Sequence, residues 1–534
     1  MAVTAEAAPR VVSERRRLVD ALFEPTDIAI LSYFRAVFGI VIAWHAAHDL
    51  LQHHVRYLVH LSILFKFWPF AFVKLMPSPL MYGVEFLLVV GGVFMAVGLY
   101  YRLSAIVVFA GVTYLFLLDQ AAYLNHLYLV CLIAFLMIFL PANRRWALDS
   151  RFDPSIRRDE VPAWTVWLLR FQIGVVYVFG GIAKLNADWF HGEPLRSVLL
   201  SNRDFPLLGH LVFTNHVFVD VFNWGALLLD LLVVFLLLNR YTRVPAYIAA
   251  ITFHLMNARF FMIGIFPWLM IAGTAVFFPP DWPRRIVNDA RTRPWPRRFW
   301  RFIIGFVVVA ALALYLPKTH APIDPLLGGI GGGVVGYYFE IPSPRRRSAA
   351  VTSAIASPWR KLVVGFLAAW IAFQVLVPLR HFAIPGNVLW TEQGEKFSWY
   401  MMLRNKSGTT TFILRNPSNG KTQEIDPADF LSARELGWMT GNPDATVQFA
   451  HFLSDRARRE LHLSVRPQVF ARTMIALNRR SPQPLVDPSV DLARVQRPLI
   501  GRQKWITPLE PRVSAPHQAP SRRDVDRGAS ESAG

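Results

Sequence analysis

The residue that most readily suggests chemistry is Lys184, in the segment YVFGGIAKLNADWF at the end of a long apolar run. A lysine just outside the hydrocarbon is commonly an interfacial anchor, and nearby Trp189 suits that role too. The alternative is functional, because a lysine desolvated by apolar neighbours can be uncharged and act as a base. Gly180 and Gly181 would let another helix or a flat ligand approach this lysine closely.

Three further polar residues lie inside apolar runs. His254 and Asn257, in ITFHLMNARF, are three residues apart and share one face of a helix. Ionisable groups at membrane depth are costly, so these residues are functional candidates, although an interhelical hydrogen bond would explain them equally well. Asp230, in GALLLDLLVVF, needs a partner that the sequence does not identify.

Two clusters near the ends of apolar runs are weaker candidates. Asn125 and His126 open one run; asparagine is favoured at a helix N-cap, and His126 is either an interfacial or a site residue. The histidines and aspartate at 45, 48, 49, 53 and 54 follow the first run at spacings that could gather imidazoles around a metal. Such residues are more often interfacial, and we predict no metal site.

Familiar catalytic motifs are missing from the sequence. It contains no glycine-rich phosphate loop, no nucleophile elbow and no HExxH pattern. Its single cysteine, Cys131, excludes both a disulfide within the chain and a cysteine-based metal site. Any chemistry would therefore come from lysine and histidine in the membrane together with an exogenous cofactor.

Composition indicates a membrane protein. The 534 residues are 54% hydrophobic and 17% charged, whereas soluble proteins carry about 25% charge. The net charge of +20 would suggest nucleic acid in a soluble protein. Here the basic residues lie in short loops between apolar runs, which favours the positive-inside rule and contact with anionic lipid, and no nucleic-acid partner. The arginine- and alanine-rich composition is typical of bacteria.

Eleven apolar runs are candidate membrane spans. They are residues 28–46, 80–99, 103–118, 126–140, 163–183, 217–238, 243–262, 264–279, 300–317, 324–340 and 361–379. The basic loops 141–162 and 280–299 would lie on the same side of the membrane as the N-terminus. The loop 119–125, which has no basic residue, would lie on the opposite side. Counting the glycine-rich run 324–340 gives eleven spans and an external C-terminal domain; omitting it gives ten and a cytoplasmic one. We favour eleven.

The composition becomes more polar after Val377. Residues 409–416 and 421–426 read as two strands joined by a turn at 417–420, residues 443–460 as an amphipathic helix, and 465–477 as another strand. We therefore predict a mostly α fold, a polytopic transmembrane bundle of about nine to eleven spans with a smaller C-terminal α+β extramembrane domain.

The predicted organisation has five parts. They are a basic cytoplasmic N-terminus (1–27), a core transmembrane domain (28–285), additional transmembrane helices with an insertion (286–380), the extramembrane domain (381–509) and a disordered tail (510–534). Because no cleavable signal precedes the first run and Arg15 to Arg17 lie just before it, the N-terminus should stay in the cytoplasm.

Several segments together resemble one family. They are LSYFRAVFGI (31–40), YRLSAIVVF (101–109), YLFLLDQAAYLNHLYL (114–129), PANRRWALD (141–149), VYVFGGIAKLNADW (176–189), LLLDL (227–231), FHLMNARFFMIGIF (253–266), DWPRR (281–285), GNVLWTEQGEKFSWYMML (386–403) and VDPSVDLARVQRP (486–498). In this order they resemble vitamin K-dependent gamma-glutamyl carboxylases and their bacterial relatives, which share a helical domain called HTTM, for horizontally transferred transmembrane.

The resemblance implies a carboxy-lyase coupled to quinone epoxidation. The family oxygenates vitamin K hydroquinone with O2, and the product is a base strong enough to remove a γ-hydrogen from glutamate. The carbanion captures CO2, and the quinone leaves as its epoxide. The implied cofactor is reduced phylloquinone or menaquinone, and the implied partners are membrane lipid and a glutamate-containing protein or peptide. A bacterial inner membrane and a periplasmic C-terminal domain would follow.

The resemblance also assigns residues. Lys184 matches the lysine that deprotonates the hydroquinone, and His126 with Asn125 matches a pair associated with the carbanion and CO2. His254 matches a histidine of the membrane core. The expected quinone-binding residues are Asn257, Trp390, Trp399 and Met402. Elementary chemistry agrees, because a hydroquinone hydroxyl has phenol-like acidity near a pKa of about 10 and a dry site would protect a carbanion.

The sequence also departs from the animal enzymes. Those enzymes carry a disulfide and a longer C-terminal region, and they have an aromatic residue where Glu395 stands here. Residues 300–358 read as an insertion with an extra hairpin. Two alternatives therefore stay open: an enzyme that only oxygenates the quinol, and a non-catalytic scaffold that keeps the helical domain.

Overall fold

The fold is known from a computed structural model. The structure describes residues 18–68, 70–202, 209, 215–261, 263–316, 321–339, 358–496 and 503–511. The predicted basic N-terminus up to residue 17, residues 340–357 of the predicted insertion and the predicted disordered tail from residue 512 lie outside the described residues.

Each of the eleven predicted apolar runs forms a helix. In chain order the helices up to Leu379 are α1 (Ala29–Leu51), α2 (His54–His60), α3 (Ser78–Val97), α4 (Tyr101–Leu118), α5 (Asn125–Phe139), α6 (Leu148–Phe152), α7 (Trp164–Ala183), α8 (Ala187–Phe190), α9 (Leu195–Leu200), α10 (His216–Leu238), α11 (Arg243–Phe260), α12 (Phe266–Thr274), α13 (Trp282–Arg291), α14 (Arg297–Tyr315), α15 (Asp324–Tyr338) and α16 (Arg360–Leu379). Among the described residues, seven helices are long and apolar enough to cross a membrane: α1, α3, α4, α7, α10, α14 and α16. The mostly helical membrane fold is confirmed.

Contacts between helix ends show which way the helices run. At the face where α1 begins, strand β1 (Pro25–Asp27) pairs antiparallel with β2 (Glu160–Pro162). On the same face, Arg360 at the start of α16 pairs with Asp20 at 2.5 Å. At the opposite face, Asn125 at the start of α5 donates a hydrogen bond to the Tyr400 carbonyl, which follows α16 (2.9 Å). α16 therefore runs from the N-terminal face to the opposite face, where the C-terminal domain lies.

The glycine-rich run 324–340 is the helix α15, antiparallel to α14. Its last turn lies at the N-terminal face, because the Tyr337 hydroxyl donates to Asp289 (2.7 Å), which also binds Arg298 at the start of α14. Its 15 residues span roughly 22 Å at about 1.5 Å per residue, short of the ~30 Å hydrocarbon core. The start of α16 at the N-terminal face, after the antiparallel pair α14 and α15, agrees with the eleven-span interpretation and not with the ten-span one.

Glycine allows α14 and α15 to touch along their backbones. A Cβ atom added at Gly332 would lie 2.1 Å from the Gly305 carbonyl oxygen. Such a gap admits no side chain, so the two helices approach by the small-residue contact common in membranes. This packing explains why so many glycines stand in a helix despite their low helix propensity.

The C-terminal domain is a three-stranded antiparallel sheet covered by helices. It contains α17 (Val388–Thr391), β3 (Lys406–Arg415), β4 (Thr422–Ile425), α18 (Ala433–Thr440), α19 (Pro443–Glu460) and β5 (Gln468–Leu477), with strand order β4-β3-β5. The rings of Phe412 in β3 and Phe449 in α19 pack at 4.9 Å in its core. The predicted strands and the helix over 443–460 are confirmed.

This domain docks on the loops of the bundle. The Lys66 amide donates to the Gln448 side chain (2.7 Å), which donates back to the Lys66 carbonyl (3.1 Å). The rings of Phe65 and Trp438 meet edge to face at 5.1 Å. The C-terminal domain therefore closes one end of the helical bundle.

The backbone contact of α14 and α15 predicts an unusual effect of alanine. Gly332→Ala should destabilise the protein by about 1–3 kcal/mol, because the new methyl group forces the helices apart. Gly365→Ala in α16, where nothing lies within 4 Å of the added Cβ, should be neutral or stabilising, since alanine favours helix by about 1 kcal/mol. Thermal unfolding midpoints in detergent compare the two, and equal midpoints would contradict the close packing.

Candidate active site

A cavity of about 320 Å³ lies where the helical bundle meets the C-terminal domain. Its lining is mostly apolar, with a few polar groups from α5, α7, α10, α11 and the segment after α17. The lining residues are Tyr123, Leu124, Asn125, His126, Val176, Tyr177, Lys184, Trp189, Leu195, Val198, Ala226, Asp230, Phe253, His254, Asn257, Phe261, Ile263, Phe266, Met270, Glu395, Tyr400, Met401, Met402, Leu403 and Arg404.

Lys184 stands on the wall of this cavity and is paired with Asp230. Lys184 caps the C-terminus of α7, and its Nζ lies 2.5 Å from Asp230 Oδ2 and 3.2 Å from the Gly180 carbonyl oxygen. Both side chains are buried, at 5% and 3% exposed. The structure thus identifies the partner that the sequence left open for Asp230. It also shows that Lys184 does not reach into bulk solvent as a simple interfacial anchor would.

Close packing of α7 against α10 brings this pair together. A Cβ atom at Gly181 would lie 2.7 Å from the Leu231 side chain of α10. The sequence suggested that Gly180 and Gly181 would let either a helix or a flat ligand come close. At Gly181 the structure places the helix α10. One proton shared between Nζ and Oδ2 satisfies the contact either as ammonium with carboxylate or as amine with carboxylic acid. The second arrangement leaves the lysine uncharged.

His254 also lines the cavity and forms the interhelical hydrogen bond that was weighed for it. Its Nε2 lies 2.8 Å from the Tyr177 hydroxyl on α7, which is an interhelical hydrogen bond. Its Nδ1 is buried and, within the described residues, has no hydrogen-bond partner. Asn257, one turn further along α11, also lines the cavity.

His126 and Asn125 stand beside the cavity, but Asn125 is not the N-cap of α5. The N-cap residue is Leu124, and no side chain caps this helix. The Asn125 amide instead joins the bundle to the C-terminal domain, because it accepts from the Tyr123 hydroxyl and donates to the Tyr400 carbonyl, both at 2.9 Å. The His126 ring stacks on Phe266 at 5.2 Å. The Asn125 side chain therefore makes these contacts instead of capping the helix.

The four expected quinone-binding residues divide into two pairs. Asn257 and Met402 line the cavity, whereas Trp390 and Trp399 do not. Trp390 is buried in the C-terminal domain, and its indole N–H donates to the Thr507 carbonyl (2.8 Å). Trp399 is buried against Tyr128, with ring centroids 5.1 Å apart. Both tryptophans pack in the protein core, so direct contact with a ligand in this cavity is not supported for either.

The segment 392–404 supplies a wall that pattern reasoning missed. It contributes Glu395, Tyr400, Met401, Leu403 and Arg404. Phe397, Trp399 and Met402 have φ of 64°, 61° and 54°, a region that residues other than glycine seldom adopt. Strained backbone of this kind clusters at functional sites. Hydrophobic periodicity cannot predict this backbone conformation. The only sequence indication of this wall was the family resemblance of the segment GNVLWTEQGEKFSWYMML (386–403).

Buried charges surround this wall in the C-terminal domain. Arg404 binds Glu395 and also Glu392, whose Oε1 lies 3.0 Å from Arg404 Nε and 3.0 Å from Lys406 Nζ. Burial raises the pKa of Glu395, against the opposing effect of the Arg404 charge. Burial likewise lowers the pKa of Lys406. Opposite charges therefore compensate each other at this end of the cavity.

The histidine cluster after α1 forms ion-pair contacts instead of a metal centre. His45 and His48 each lie 3.8 Å from Asp49, and His54 lies 3.0 Å from the buried Glu85 of α3. Within the part of the chain that the structure describes, no three or more histidine, cysteine, aspartate or glutamate side chains are grouped to hold a metal ion.

Comparison with known families now gives the class of this protein. Residues 23–282 match the family model for the HTTM domain, so the bundle around the cavity is a membrane domain of that class. Residues 359–512 match the vitamin K-dependent gamma-carboxylase lumenal domain. With both domains in order, the chain belongs to the vitamin K-dependent gamma-glutamyl carboxylase family. These matches support a vitamin K-dependent carboxylase-like function. No solved structure matches the chain.

The buried pair of Lys184 and Asp230 predicts strong energetic coupling. Lys184→Met and Asp230→Leu should each destabilise the protein by about 3–5 kcal/mol, because each leaves one buried charge without its partner. The double variant removes both charges and should recover most of that loss. Thermal unfolding of the four proteins in detergent completes the double-mutant cycle.

The exposed pair Arg456 and Glu460 (2.8 Å) in α19 provides the control cycle. Arg456→Met and Glu460→Leu should couple by only about 0.3–0.5 kcal/mol. Equal coupling in the two cycles would mean that Lys184 and Asp230 are solvated as a surface pair is.

Proposed function

We propose that this protein uses a reduced vitamin K-type quinone, O2 and CO2 to carboxylate glutamate side chains of a protein or peptide, with epoxidation of the quinone. The observation that carries the proposal is the buried contact between Lys184 and Asp230 on the wall of an apolar cavity (2.5 Å). A desolvated amine with a single proton-sharing partner is suited to accept a proton from a bound ligand.

The cavity fits a flat lipophilic ligand. Its volume of about 320 Å³ lies within the ~300–1,000 Å³ common for small-molecule sites. Met402, Phe266 and Val176 offer apolar walls, while Lys184 and His254 are polar residues of the lining. Asn257 is the further polar residue that would hold the quinone. When bound and oxygenated, reduced vitamin K supplies the strong base that the weakly acidic γ-hydrogen of glutamate requires.

We assign different roles in the proposed reaction to the residues around the cavity. In the amine and carboxylic acid arrangement, Lys184 Nζ would accept the hydroxyl proton of the quinol. The ammonium would then face the quinolate as its counter-charge and stay hydrogen-bonded to Asp230 Oδ2, 2.5 Å away. His126, stacked on Phe266, and Asn125, which donates to the Tyr400 carbonyl, are the lining residues that we assign to the glutamate and CO2. The C-terminal domain forms one side of the cavity, and shielding from water there would protect a carbanion from protonation.

The proposal includes a division of the chain and an orientation. Residues 28–285 form the transmembrane catalytic domain, 286–380 add membrane helices, and 381–509 form the extramembrane domain that receives the substrate. Arginines at the N-terminal face, including Arg284 and Arg298, support a cytoplasmic position for that face in a bacterial inner membrane. The C-terminal domain then lies in the periplasm.

A second candidate is quinol oxygenation without carboxylation. One observation favours it: the lysine and the arginine that line the cavity each already have a carboxyl group beside them, Lys184 with Asp230 and Arg404 with Glu395. An incoming glutamate carboxylate would have to compete with Glu395 for Arg404. The two candidates differ in whether CO2 is fixed, so one assay separates them.

That assay gives purified protein in detergent reduced vitamin K, O2, labelled bicarbonate and a glutamate peptide. The wild type should yield both quinone epoxide and fixed label. Lys184→Met should lower both by roughly 10²–10⁴-fold, the usual contribution of a general base. Lys74→Met, at an exposed loop lysine, should leave both unchanged. Epoxide without fixed label would contradict carboxylation and support the oxygenase. If the wild type forms neither product, the result would contradict both enzymes and support a non-catalytic scaffold.

Glu395→Gln tests the competition at Arg404. This substitution removes the carboxylate that binds Arg404 while Glu392 still holds the guanidinium in place. If carboxylation occurs, the peptide KM should fall and the ratio of fixed label to epoxide should rise. An oxygenase that binds no glutamate would show the same epoxide rate and no label with either side chain.

A further inference from the structure

The residue four positions after Lys184 is held by the C-terminal domain. Asp188 in α8 is 4% exposed. Arg480 binds it with both terminal nitrogens, at 2.7 Å from Nη1 to Oδ2 and 2.5 Å from Nη2 to Oδ1, and Asn478 Nδ2 donates to Oδ2 at 2.8 Å. The two partners come about 290 residues later in the chain. This bidentate contact fixes both the place and the orientation of the carboxylate.

Asn478 also binds the segment that forms the cavity wall. Its Nδ2 lies 3.2 Å from the Leu403 carbonyl oxygen, and its Oδ1 accepts from the Asn405 amide at 2.7 Å. Asn478 is fully buried and has a φ of 49°, so its backbone adopts an unfavourable conformation to make these contacts. One side chain thus ties Asp188 to the wall that carries Leu403.

Trp189 connects this contact to the lysine. Its ring centroid lies 5.2 Å from Lys184 Nζ. Its indole N–H donates to the Asn223 carbonyl (3.2 Å), and the Asn223 amide donates back to the Trp189 carbonyl (2.8 Å). Asn223 belongs to α10, the helix that carries Asp230. Fixing Asp188 therefore fixes the next residue, whose ring and backbone contact both the lysine and the helix of its partner.

We propose that Asp188, Asn478 and Arg480 form an interdomain clamp that positions Lys184 for proton transfer, an inference that rests on the proposed function. None of the three touches the reacting atoms; they act through Trp189. A buried charged pair is weak evidence of a role in stability, since apolar residues of similar size often stabilise as well. The clamp instead fixes the position of the Lys184 side chain. A displacement of this base by about 1 Å would lower the reaction rate roughly 100-fold.

The test uses the full chain in detergent with four variants. Arg480→Met breaks the clamp, and Arg480→Lys keeps the charge without the bidentate geometry. The double variant Asp188→Leu/Arg480→Met removes both charges of the pair and should be less destabilised than the single variant. Arg466→Met is the matched control, because Arg466 pairs with Asp455 (2.5 Å) in the same domain but away from the cavity.

The clamp predicts a loss in kcat and not in binding. Epoxide formation by the two clamp-breaking variants should fall roughly 100-fold in kcat with the quinol KM unchanged, and Arg480→Lys should recover part of it. The rates of these variants should climb at alkaline pH, where the quinol hydroxyl, with a pKa near about 10, ionises without help from the lysine. Arg466→Met should match wild type.

Hydrogen–deuterium exchange of residues 184–191 provides a readout that does not need activity. These amides should exchange faster in the clamp variants and not in Arg466→Met. If wild type makes no epoxide, the proposed function fails, and exchange alone decides the clamp. Unchanged exchange, or a parallel loss of kcat and thermal stability that the double variant restores together, would overturn the clamp.

Discussion

The contact of Lys184 with Asp230 is the constraint on which the rest of the structure depends. Two ionisable groups are tolerated at this buried position because each is the other's partner at 2.5 Å. That requirement brings α7 and α10 into close contact, with Leu231 filling the space above Gly181.

The position of the cavity follows from the solvents on its two sides. Under the proposed function, a lipophilic quinone would arrive from the bilayer and a peptide from water, so a site serving both would lie at the boundary. The described cavity has helices α5, α7, α10 and α11 on one side and the segment 392–404 on the other. Asn125, with its hydrogen bond to the Tyr400 carbonyl, joins the two walls.

The helices and strands were largely predictable, because apolar runs and alternation depend on local sequence. All eleven apolar runs became helices, and β3, β4, β5 and α19 lie where the pattern indicated. The site was predictable only in part. Lys184, Asn125, His126, His254, Asn257 and Met402 do line one cavity, but the partner of Asp230 depends on a contact 46 residues away. Asn125 as an N-cap was wrong because a tertiary contact uses its side chain, and the 392–404 wall has φ values that no periodicity encodes.

The hairpin of α14 and α15 shows how helices can be accommodated in the bundle without entering the cavity. Residues 283–358, which contain α14 and α15, lie between the two family matches, and no described residue of this range lines the cavity. Because α14 and α15 are antiparallel, the chain returns to the N-terminal face after them. α16 would therefore begin at that face with or without this pair, and the C-terminal domain would stay beside the cavity. A single added helix would have reversed that domain to the other side of the membrane. The glycine contact between Gly305 and Gly332 lets the pair pack as one unit, because close helix approach gives van der Waals contact that lipid does not replace.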